Sequence, residues 1–301
     1  MKKIAGLFAC LLLVSNIARA EMLTERTDDA LIVKKSSTAE VLEFFREHNY
    51  EYEQMDAQIP RIYFLRLPYD WNKTKTNPEK NRAFIRILLP LVLAINEEIL
   101  QERKKVIKLH GKISSGETLS PEETETVENM AKKYDAYTSM QDGSRAGILL
   151  RQLLDKVDII PPSVLISTAI IYSDWGTSRL AVEENSLYKE EVWYTNQGIK
   201  PADDANADYR YKIFTDLADS IRQRALRLNS SIDYDYFRHS RLAQRMSGKY
   251  PIGVDIAAMM RHDSKLRNIS GMIDYTFSFY KLTYTDLVPQ LVNFDDKKGK
   301  R

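Results

Sequence analysis

Two side chains that can exchange protons, Tyr172 and Asp174, stand beside an indole, Trp175, in this 301-residue chain. A phenol or a carboxyl group can transfer a proton to a reacting group, and an indole offers an apolar face to a ligand. Two helical positions turn side chains about 200° apart, so we expect Tyr172 and Asp174 to face different ways. The spacing therefore predicts a binding corner in which the two titratable groups do not act as a pair.

A helix must position these residues. Pro161 and Pro162 suit its first turn, where a missing backbone N–H costs nothing. Its apolar face is predicted to carry Val164, Leu165, Thr168, Ala169 and Tyr172. Gly176 is expected to end the helix, because glycine readily adopts the left-handed conformation that follows a last turn. Trp175 would then project from a backbone corner, which is where clefts form.

The segment 161–179 resembles the glucosaminidase family of peptidoglycan hydrolases. That family's motif runs Pro-Pro-Ser, a small-residue helix, Glu-Ser-x-Trp-Gly-Thr-Ser-Arg, then Asn-x-Leu-Phe-Gly and a tryptophan. The chain is most similar to the Bax-type branch, which has an additional N-terminal region. Further matching segments are 60–67, 88–103, 211–214 and 236–241. The resemblance implies a mainly α, lysozyme-like α+β fold, with a helical domain, a small β-hairpin beside the cleft and an N-terminal helical lobe.

Four departures from the family pattern fall around one predicted cleft. Tyr172 stands where the family has its catalytic glutamate. The pair 184–185 is Glu-Asn in place of Gly-Asn, and the pair 188–189 is Tyr-Lys in place of Phe-Gly. Tyr275 is followed by Thr-Phe-Ser-Phe, where the family usually has Ser-Glu-Arg-Gly.

The residue at position 172 decides what chemistry the resemblance implies. Cleavage of a glycosidic bond needs an acid for the departing oxygen, and burial raises the pKa of that acid. A phenol near pKa 10 is about four units weaker than a carboxyl group tuned to about 6, a difference of roughly 5 kcal/mol. Because general acid catalysis contributes about 10²- to 10⁴-fold, Tyr172 predicts lost or much reduced hydrolysis. Packing on the apolar helix face is the alternative role of this ring.

Other carboxylates could replace the missing acid. Asp174 is the nearest, but its side chain is one methylene shorter than a glutamate and is expected to point away, so it is a weak substitute. Four glutamates follow it, at positions 183, 184, 190 and 191. They are predicted to be solvated charges at a helix end and in a loop.

The resemblance also implies which residues would bind substrate. These are Trp175, Ser178, Tyr188, Trp193 and Tyr275. Aromatic rings with polar neighbours suit a glycan, whose sugar rings have apolar faces and rims of hydroxyl groups. Peptidoglycan glycan strands or a cell-wall protein are therefore the expected partners.

Three functions remain open from the sequence. The first is a cell-wall protein that binds peptidoglycan with little or no hydrolysis. The second is an active N-acetylglucosaminidase in which Asp174 or a loop glutamate has become the acid. The third is a scaffold or regulator that uses the cleft for protein contacts.

The first twenty residues have the features of a cleavable export signal. Lys2 and Lys3 precede an apolar run at 4–14, and the small residues of Ala-Arg-Ala end the segment at Ala20. Its removal takes away Cys10, the only cysteine, and changes the formal net charge from +2 to −1. We therefore expect a periplasmic or extracellular protein without disulfides and without an electrostatic footprint for nucleic acid.

Other chemistries find little support in the sequence. The four histidines are dispersed without the spacing of metal ligands, at His48, His110, His239 and His262. No phosphate-binding Gly-Lys-Ser/Thr loop and no Gly-x-Ser-x-Gly elbow occur. No segment after the signal is long and apolar enough to span a bilayer. We expect neither a metal nor a cofactor.

The predicted organisation is a signal peptide (1–20), an N-terminal helical lobe (21–142), a glucosaminidase-like domain (143–292) and a flexible tail (293–301). Asn77-Pro78 and Ser120 are predicted helix starts. Pro90 is expected to kink or restart the first of these helices. Residues 111–116 and 142–144 are predicted loops. A short hairpin is predicted within 188–214, and helices near 217–228, 252–260 and 268–280.

Overall fold

The computed structural model describes residues 22–54, 58–202, 204, 206–260, 269–287 and 290–294. The predicted signal peptide and residues 295–301 of the predicted tail lie outside them. The helices are α1 (Thr38–Glu47), α2 (Pro78–Ser114), α3 (Pro121–Lys133), α4 (Arg145–Lys156), α5 (Pro162–Ser173), α6 (Arg179–Glu184), α7 (Leu217–Ser230), α8 (Asp235–Met246), α9 (Gly253–Met260) and α10 (Ser270–Phe279). The strands are β1 (Leu23–Arg26), β2 (Leu31–Lys35), β3 (Gln58–Pro60), β4 (Ile62–Phe64), β5 (Glu191–Trp193), β6 (Tyr209–Tyr211) and β7 (Gln290–Val292). The mainly α, α+β fold class is confirmed.

Helix α2 lies at the centre of the molecule. Asn77 begins it by accepting the Lys80 backbone N–H at 2.9 Å, with Pro78 in the first turn as predicted. Every residue from 83 to 93 is buried, because α2 packs against α4, α5, α7 and β4. Pro90 lies inside the helix without ending it. The helix continues to Ser114, so the loop predicted at 111–116 is wrong for its first four residues.

The N-terminal lobe contains a sheet that the sequence analysis did not predict. Strands β1, β2 and β4 form it in that order, with β1 antiparallel and β4 parallel to β2. A second pairing joins β3 to β7 in parallel, which ties the N-terminal part to the last described residues. The ring of Phe294 stacks on Phe44, and its backbone N–H donates to the Asp29 carbonyl at 3.1 Å. The domain boundary near residue 142 stays a prediction, and these contacts cross it.

Several predicted local features are confirmed. Ser120 and Glu123 form the capping box of α3. Strands β5 and β6 form the expected hairpin, with Trp193 opposite Tyr209. Helices α7, α9 and α10 occupy the predicted segments, whereas α8 had not been predicted. No helix in the described part of the chain has both the length and the apolar character needed to cross a bilayer.

A buried carboxylate, Asp286, holds the start of the helix that carries Tyr172. It accepts the Ser163 backbone N–H at 2.8 Å, the Ser163 hydroxyl at 2.6 Å and the Gly253 backbone N–H at 2.7 Å. One carboxylate thus joins the N-termini of α5 and α9, where negative charge is favoured. A Cβ atom on Gly253 would lie 2.0 Å from the Ser163 hydroxyl oxygen, so this contact requires glycine.

Asp286 predicts a pH dependence of stability. Burial raises the pKa of Asp286 to about 6, above the roughly 3.9 of an unfolded chain. Between these values the folded state binds the extra proton, so the contribution of Asp286 to stability falls as pH rises from about 4 to about 6. Compared with Asp286→Asn, the native protein should lose about 3 kcal/mol of unfolding free energy across this window. Denaturant titrations of both proteins at pH 4 and pH 7 measure this loss. If the difference in unfolding free energy between the native protein and Asp286→Asn is the same at both pH values, the prediction is wrong.

Candidate functional site

The turn after α5 consists of three consecutive residues in the left-handed conformation. Asp174, Trp175 and Gly176 have φ angles of 51°, 57° and 75°. The prediction that Gly176 ends the helix is wrong, because α5 ends at Ser173 and Asp174 is already left-handed. The Ser173 hydroxyl accepts the Gly176 N–H at 2.8 Å. A Cβ atom on Gly176 would lie 2.6 Å from the Phe84 ring, so glycine is needed for close packing on α2.

Trp175 and Ser178 both have structural tasks in this turn. The Trp175 carbonyl accepts the Trp71 indole N–H at 2.8 Å, and its half-buried ring lies 4.6 Å from the ring of Tyr280. Ser178 is the N-cap of α6 and accepts the Ala181 backbone N–H at 3.3 Å. The sequence motif therefore shapes the corner, and the predicted binding roles of these two residues stay predictions.

Tyr172 lies beside a buried arginine. The guanidinium carbon of Arg224 is 5.5 Å from the Tyr172 ring centroid, and 5.7 and 5.3 Å from the rings of Tyr188 and Tyr234. Three aromatic rings thus surround one cation, an arrangement that stabilises the charge. The Arg224 side chain is only 3% exposed. Tyr172 itself is partly buried.

Glu190 is the counterion of this arginine. Its two carboxylate oxygens contact Arg224 at 3.2 Å and Arg227 at 2.8 Å, and its side chain is 4% exposed. The prediction that Glu190 is a solvated charge is therefore wrong. Its partners are neighbours on α7, 34 and 37 residues further along the chain, so no local pattern could indicate them. The Glu190 carbonyl also accepts the Lys212 N–H at 2.8 Å, which fixes the base of the β5–β6 hairpin beside Tyr172.

The electrostatics at position 172 disfavour acid catalysis. Burial raises the pKa of Tyr172, and the positive charge of Arg224 only partly opposes this effect. The phenol is thus a weaker acid than in water. Arg224 and Arg227 carry two positive charges against the single negative charge of Glu190, so the group beside Tyr172 has a net positive charge. Such surroundings would stabilise a carboxylate in its ionised form.

The other candidate acids contact different residues. Asp174 is exposed in the turn, where its carboxylate accepts the Thr177 hydroxyl at 3.1 Å. Glu183 lies 3.8 Å from Arg179 in an exposed pair on α6. Glu190 is buried, and both of its carboxylate oxygens are already engaged by arginines. These contacts disfavour each of the three as a replacement proton donor.

The remaining predicted binding residues divide into buried and exposed. Tyr188 is 2% exposed and donates its hydroxyl to the Leu165 carbonyl, so the prediction that it contacts substrate is corrected to a packing role. Trp193 is 51% exposed on the hairpin, and its ring lies 5.1 Å from Tyr209. Tyr275 is exposed on α10. Trp193 and Tyr275 are available to a ligand, and their binding role stays a prediction.

Comparisons with known proteins extend over most of the chain. No profile of a known protein family matches it. It is 28% identical over 214 residues to Protein bax of Escherichia coli (strain K12), which covers 70% of this chain and 73% of that protein. This similarity, together with the sequence motif, suggests a relationship to peptidoglycan hydrolase-like proteins. The catalytic domain of the autolysin Auto from Listeria monocytogenes aligns with 71% of this chain and 91% of its own, at 14% identity and a TM-score of 0.37. This structural similarity is too weak to assign the role of any residue from one protein to the other.

Within the described ranges, no group of three or more His, Cys, Asp or Glu side chains is placed to hold a metal ion. The site therefore consists of the partly buried phenol of Tyr172, the buried ion pairs of Glu190 with Arg224 and Arg227, and the hairpin that carries the exposed Trp193.

Proposed function

We propose that this chain is an exported, glucosaminidase-like cell-wall protein that binds peptidoglycan glycan strands and has lost most or all hydrolysis. The observation that carries the proposal is Tyr172, a phenol with a raised pKa at the position of the family's acid. The resemblance in sequence around positions 161–179 and the 28% identity to Protein bax support the cell-wall assignment.

The geometry supports binding more than cleavage. The exposed Trp193 ring lies on a hairpin whose base is held through the Glu190 carbonyl, and it offers a sugar ring an apolar platform. The Tyr172 hydroxyl is protonated at neutral pH, so it can donate a hydrogen bond to a sugar oxygen without giving up its proton.

A paired assay tests this function. The purified protein should sediment with isolated cell walls and release no reducing ends from them. Trp193→Ala should weaken sedimentation about tenfold, which corresponds to a loss of about 1.4 kcal/mol of binding free energy. Tyr137→Ala is the matched control, because Tyr137 is 75% exposed outside the site and should sediment normally. Robust release of reducing ends by the natural protein would refute the proposal.

A relocated acid is the alternative enzyme hypothesis, and it has its own test. If Asp174 or a glutamate of α6 had become the acid, one of Asp174→Asn, Glu183→Gln or Glu184→Gln would abolish a measurable turnover. We expect all three variants to match the natural protein, because Asp174 and Glu183 lie in exposed local contacts.

Export has a separate test. The N-terminal residue of protein recovered from outside the cytoplasm should be Glu21, as cleavage after Ala20 requires. Recovery of the chain only from the cytoplasm, with its first residues intact, would contradict this part of the proposal.

A further inference from the structure

The C-terminal part of α2 has an exposed face that carries three lysines. The exposed residues of this face, which we call the basic face, are Lys104, Lys105, Ile107, Lys108 and Gly111. At about 100° per residue, these positions fall within an arc of roughly 160° around the helix. Val106 and Leu109, on the opposite side of α2, are buried. The basic face is therefore open to a partner, and the proposed function gives it no role.

The three lysines have no carboxylate partner on their own helix. Glu102 is the only acid between residues 101 and 114, and its carboxylate already contacts the Lys133 ammonium at 2.7 Å. Glu123 on α3 pairs with Lys112 at 2.6 Å, and Lys108 attracts it only over a longer distance. None of the three lysines forms an ion pair with a residue that the structure describes. The basic face thus has an uncompensated positive charge.

The spacing of the lysines opposes helix formation. Lys104, Lys108 and Lys112 follow one another at intervals of four residues, where like charges repel across one helical turn. The helix dipole favours a cation only in the last turn, which here contains Lys112. Lys105 lies about two and a half turns before Ser114, and Lys104 lies further back. Stabilisation of α2 does not account for these charges, whereas a negatively charged partner outside the chain does.

The shape of the basic face suits a flat partner. It is the convex surface of a helix, and a Cβ atom added to Gly111 would meet no atom within 4 Å. Ile107 lies among the lysines and is 51% exposed. A soluble polyanion offers nothing to an isoleucine, whereas the surface of a bilayer offers phosphate to lysine and acyl chains to an apolar side chain. The combination favours a membrane surface.

We propose that the basic face binds the surface of a phospholipid bilayer that contains anionic headgroups. The lysine ammonium groups would contact the phosphates, and Ile107 would enter the boundary between headgroups and acyl chains. The inference goes beyond the proposed function and does not depend on glycan binding.

The basic face is distinct from the candidate site. Phe84, against which Gly176 packs, lies 20 residues before Lys104 on the same helix. At 1.5 Å per residue, the two positions on α2 are about 30 Å apart. Substitutions in the basic face should therefore leave the corner at 174–176 unchanged.

Vesicles of defined charge test the proposal. The probes are vesicles of phosphatidylcholine and vesicles of an equal mixture of phosphatidylcholine and phosphatidylglycerol. The protein used is residues 21–301, because the apolar run at 4–14 would itself enter a bilayer. Sedimentation at low ionic strength should show binding at least about tenfold tighter to the anionic vesicles. About 1 M NaCl should remove this preference, because it shortens the Debye length to about 3 Å.

Removal of the three lysines should abolish most of this preference. Lys104→Gln/Lys105→Gln/Lys108→Gln should weaken binding to the anionic vesicles about 100-fold. That is about fivefold for each lysine, since one lysine near such a surface contributes about 1 kcal/mol. Circular dichroism and thermal unfolding identify a variant that has lost its fold, and the single substitutions then replace the triple variant.

Two further variants separate the basic face from general electrostatic attraction. Lys35→Gln/Lys73→Gln/Lys75→Gln removes the same charge from exposed lysines elsewhere, so this control variant should bind the anionic vesicles normally. Ile107→Gln should weaken binding to these vesicles about fivefold, the effect of withdrawing about half of an isoleucine side chain from an apolar environment. It should leave any binding of soluble polyphosphate unchanged.

The results distinguish this inference from the proposed function. Vesicle binding without wall binding would refute the proposed function and leave the membrane site intact. The membrane site would be overturned by unchanged binding of the triple lysine variant, by an equal loss in the control variant, or by no preference of the natural protein for anionic vesicles. Polyphosphate binding as tight as vesicle binding, with no effect of Ile107→Gln, would overturn the assignment to a bilayer.

Discussion

Replacing Tyr172 by glutamate is expected to leave the protein without measurable release of wall fragments, although it restores the residue that the family motif has at this position. The new carboxylate would lie beside Arg224, whose Nε and Nη2 atoms have no hydrogen-bond partner among the described residues. The buried guanidinium would pair with it and lower its pKa, whereas a general acid must stay protonated. The release of soluble fragments, analysed by mass, measures the outcome.

Removing the cation as well should reverse this result. In Tyr172→Glu/Arg224→Gln, Glu190 keeps Arg227 as its partner, and the new glutamate loses its positive neighbour. Burial would then raise its pKa, and fragment release should exceed that of the single variant by about 10²-fold or more, the usual contribution of a general acid. Arg224→Gln alone is the control for folding and should remain inactive. Equal release by the single and double variants would contradict this explanation.

The single substitution Tyr172→Glu also has a measurable effect that does not depend on activity. A glutamate at position 172 with a lowered pKa stabilises the protein above pH of about 4.3, its unfolded value, and this gain is lost as pH falls through the folded pKa. A shift of one unit corresponds to about 1.4 kcal/mol. Tyr172→Glu should therefore lose more stability than the natural protein between pH 5 and pH 3. A loss that matches the natural protein would mean that Arg224 does not hold the new carboxylate.

Arg241→Ala is expected to lower the free energy of unfolding by about 3–5 kcal/mol, the usual cost of removing one partner from a buried charged group. The Arg241 side chain is 1% exposed and donates to five acceptors. Two of them are the carbonyls of Asp155 and Lys156 at the end of α4. The others lie at Asp158, Ile159 and Asn229, on the segment that leads into α5 and on α7. Without Arg241 these buried oxygens would lose a donor; the Asp158 carbonyl would keep the Asn229 side-chain N–H at 2.9 Å and the Lys156 carbonyl the Asp158 N–H at 3.2 Å.

A surface arginine provides the comparison. Arg222 forms two ion pairs, with Glu98 and Asp219, but its side chain is 45% exposed. Arg222→Ala should therefore cost less than about 1 kcal/mol. Arg241→Lys should fall between the two, because an ammonium group has three donors where a guanidinium has five. Denaturant unfolding of the three variants at one pH measures the order, and similar losses for Arg222→Ala and Arg241→Ala would refute it.

Local signals in the sequence were sufficient for much of the helical framework. Asn77 and Ser120 begin helices as predicted because a cap depends on residues three positions apart. The sheet of β1, β2 and β4 was missed, since each strand has only three to five residues and β4 joins β2 from about 30 residues further along the chain, with Leu31 opposite Ile62. The family motif found the position of Tyr172, but it could not show Glu190 in a buried pair with α7. That contact depends on how the hairpin and two helices come together.

Helix α2 lies in sequence within the predicted N-terminal lobe (21–142), but it packs against α5, the helix that carries Tyr172. We therefore expect that this lobe is not a detachable module. A fragment that begins at residue 143 would lack Phe84, against which Gly176 packs, and Trp71, whose indole holds the Trp175 carbonyl. The corner that shapes the candidate site would lose its support. Any shorter version of this protein that keeps this corner intact must therefore retain α2.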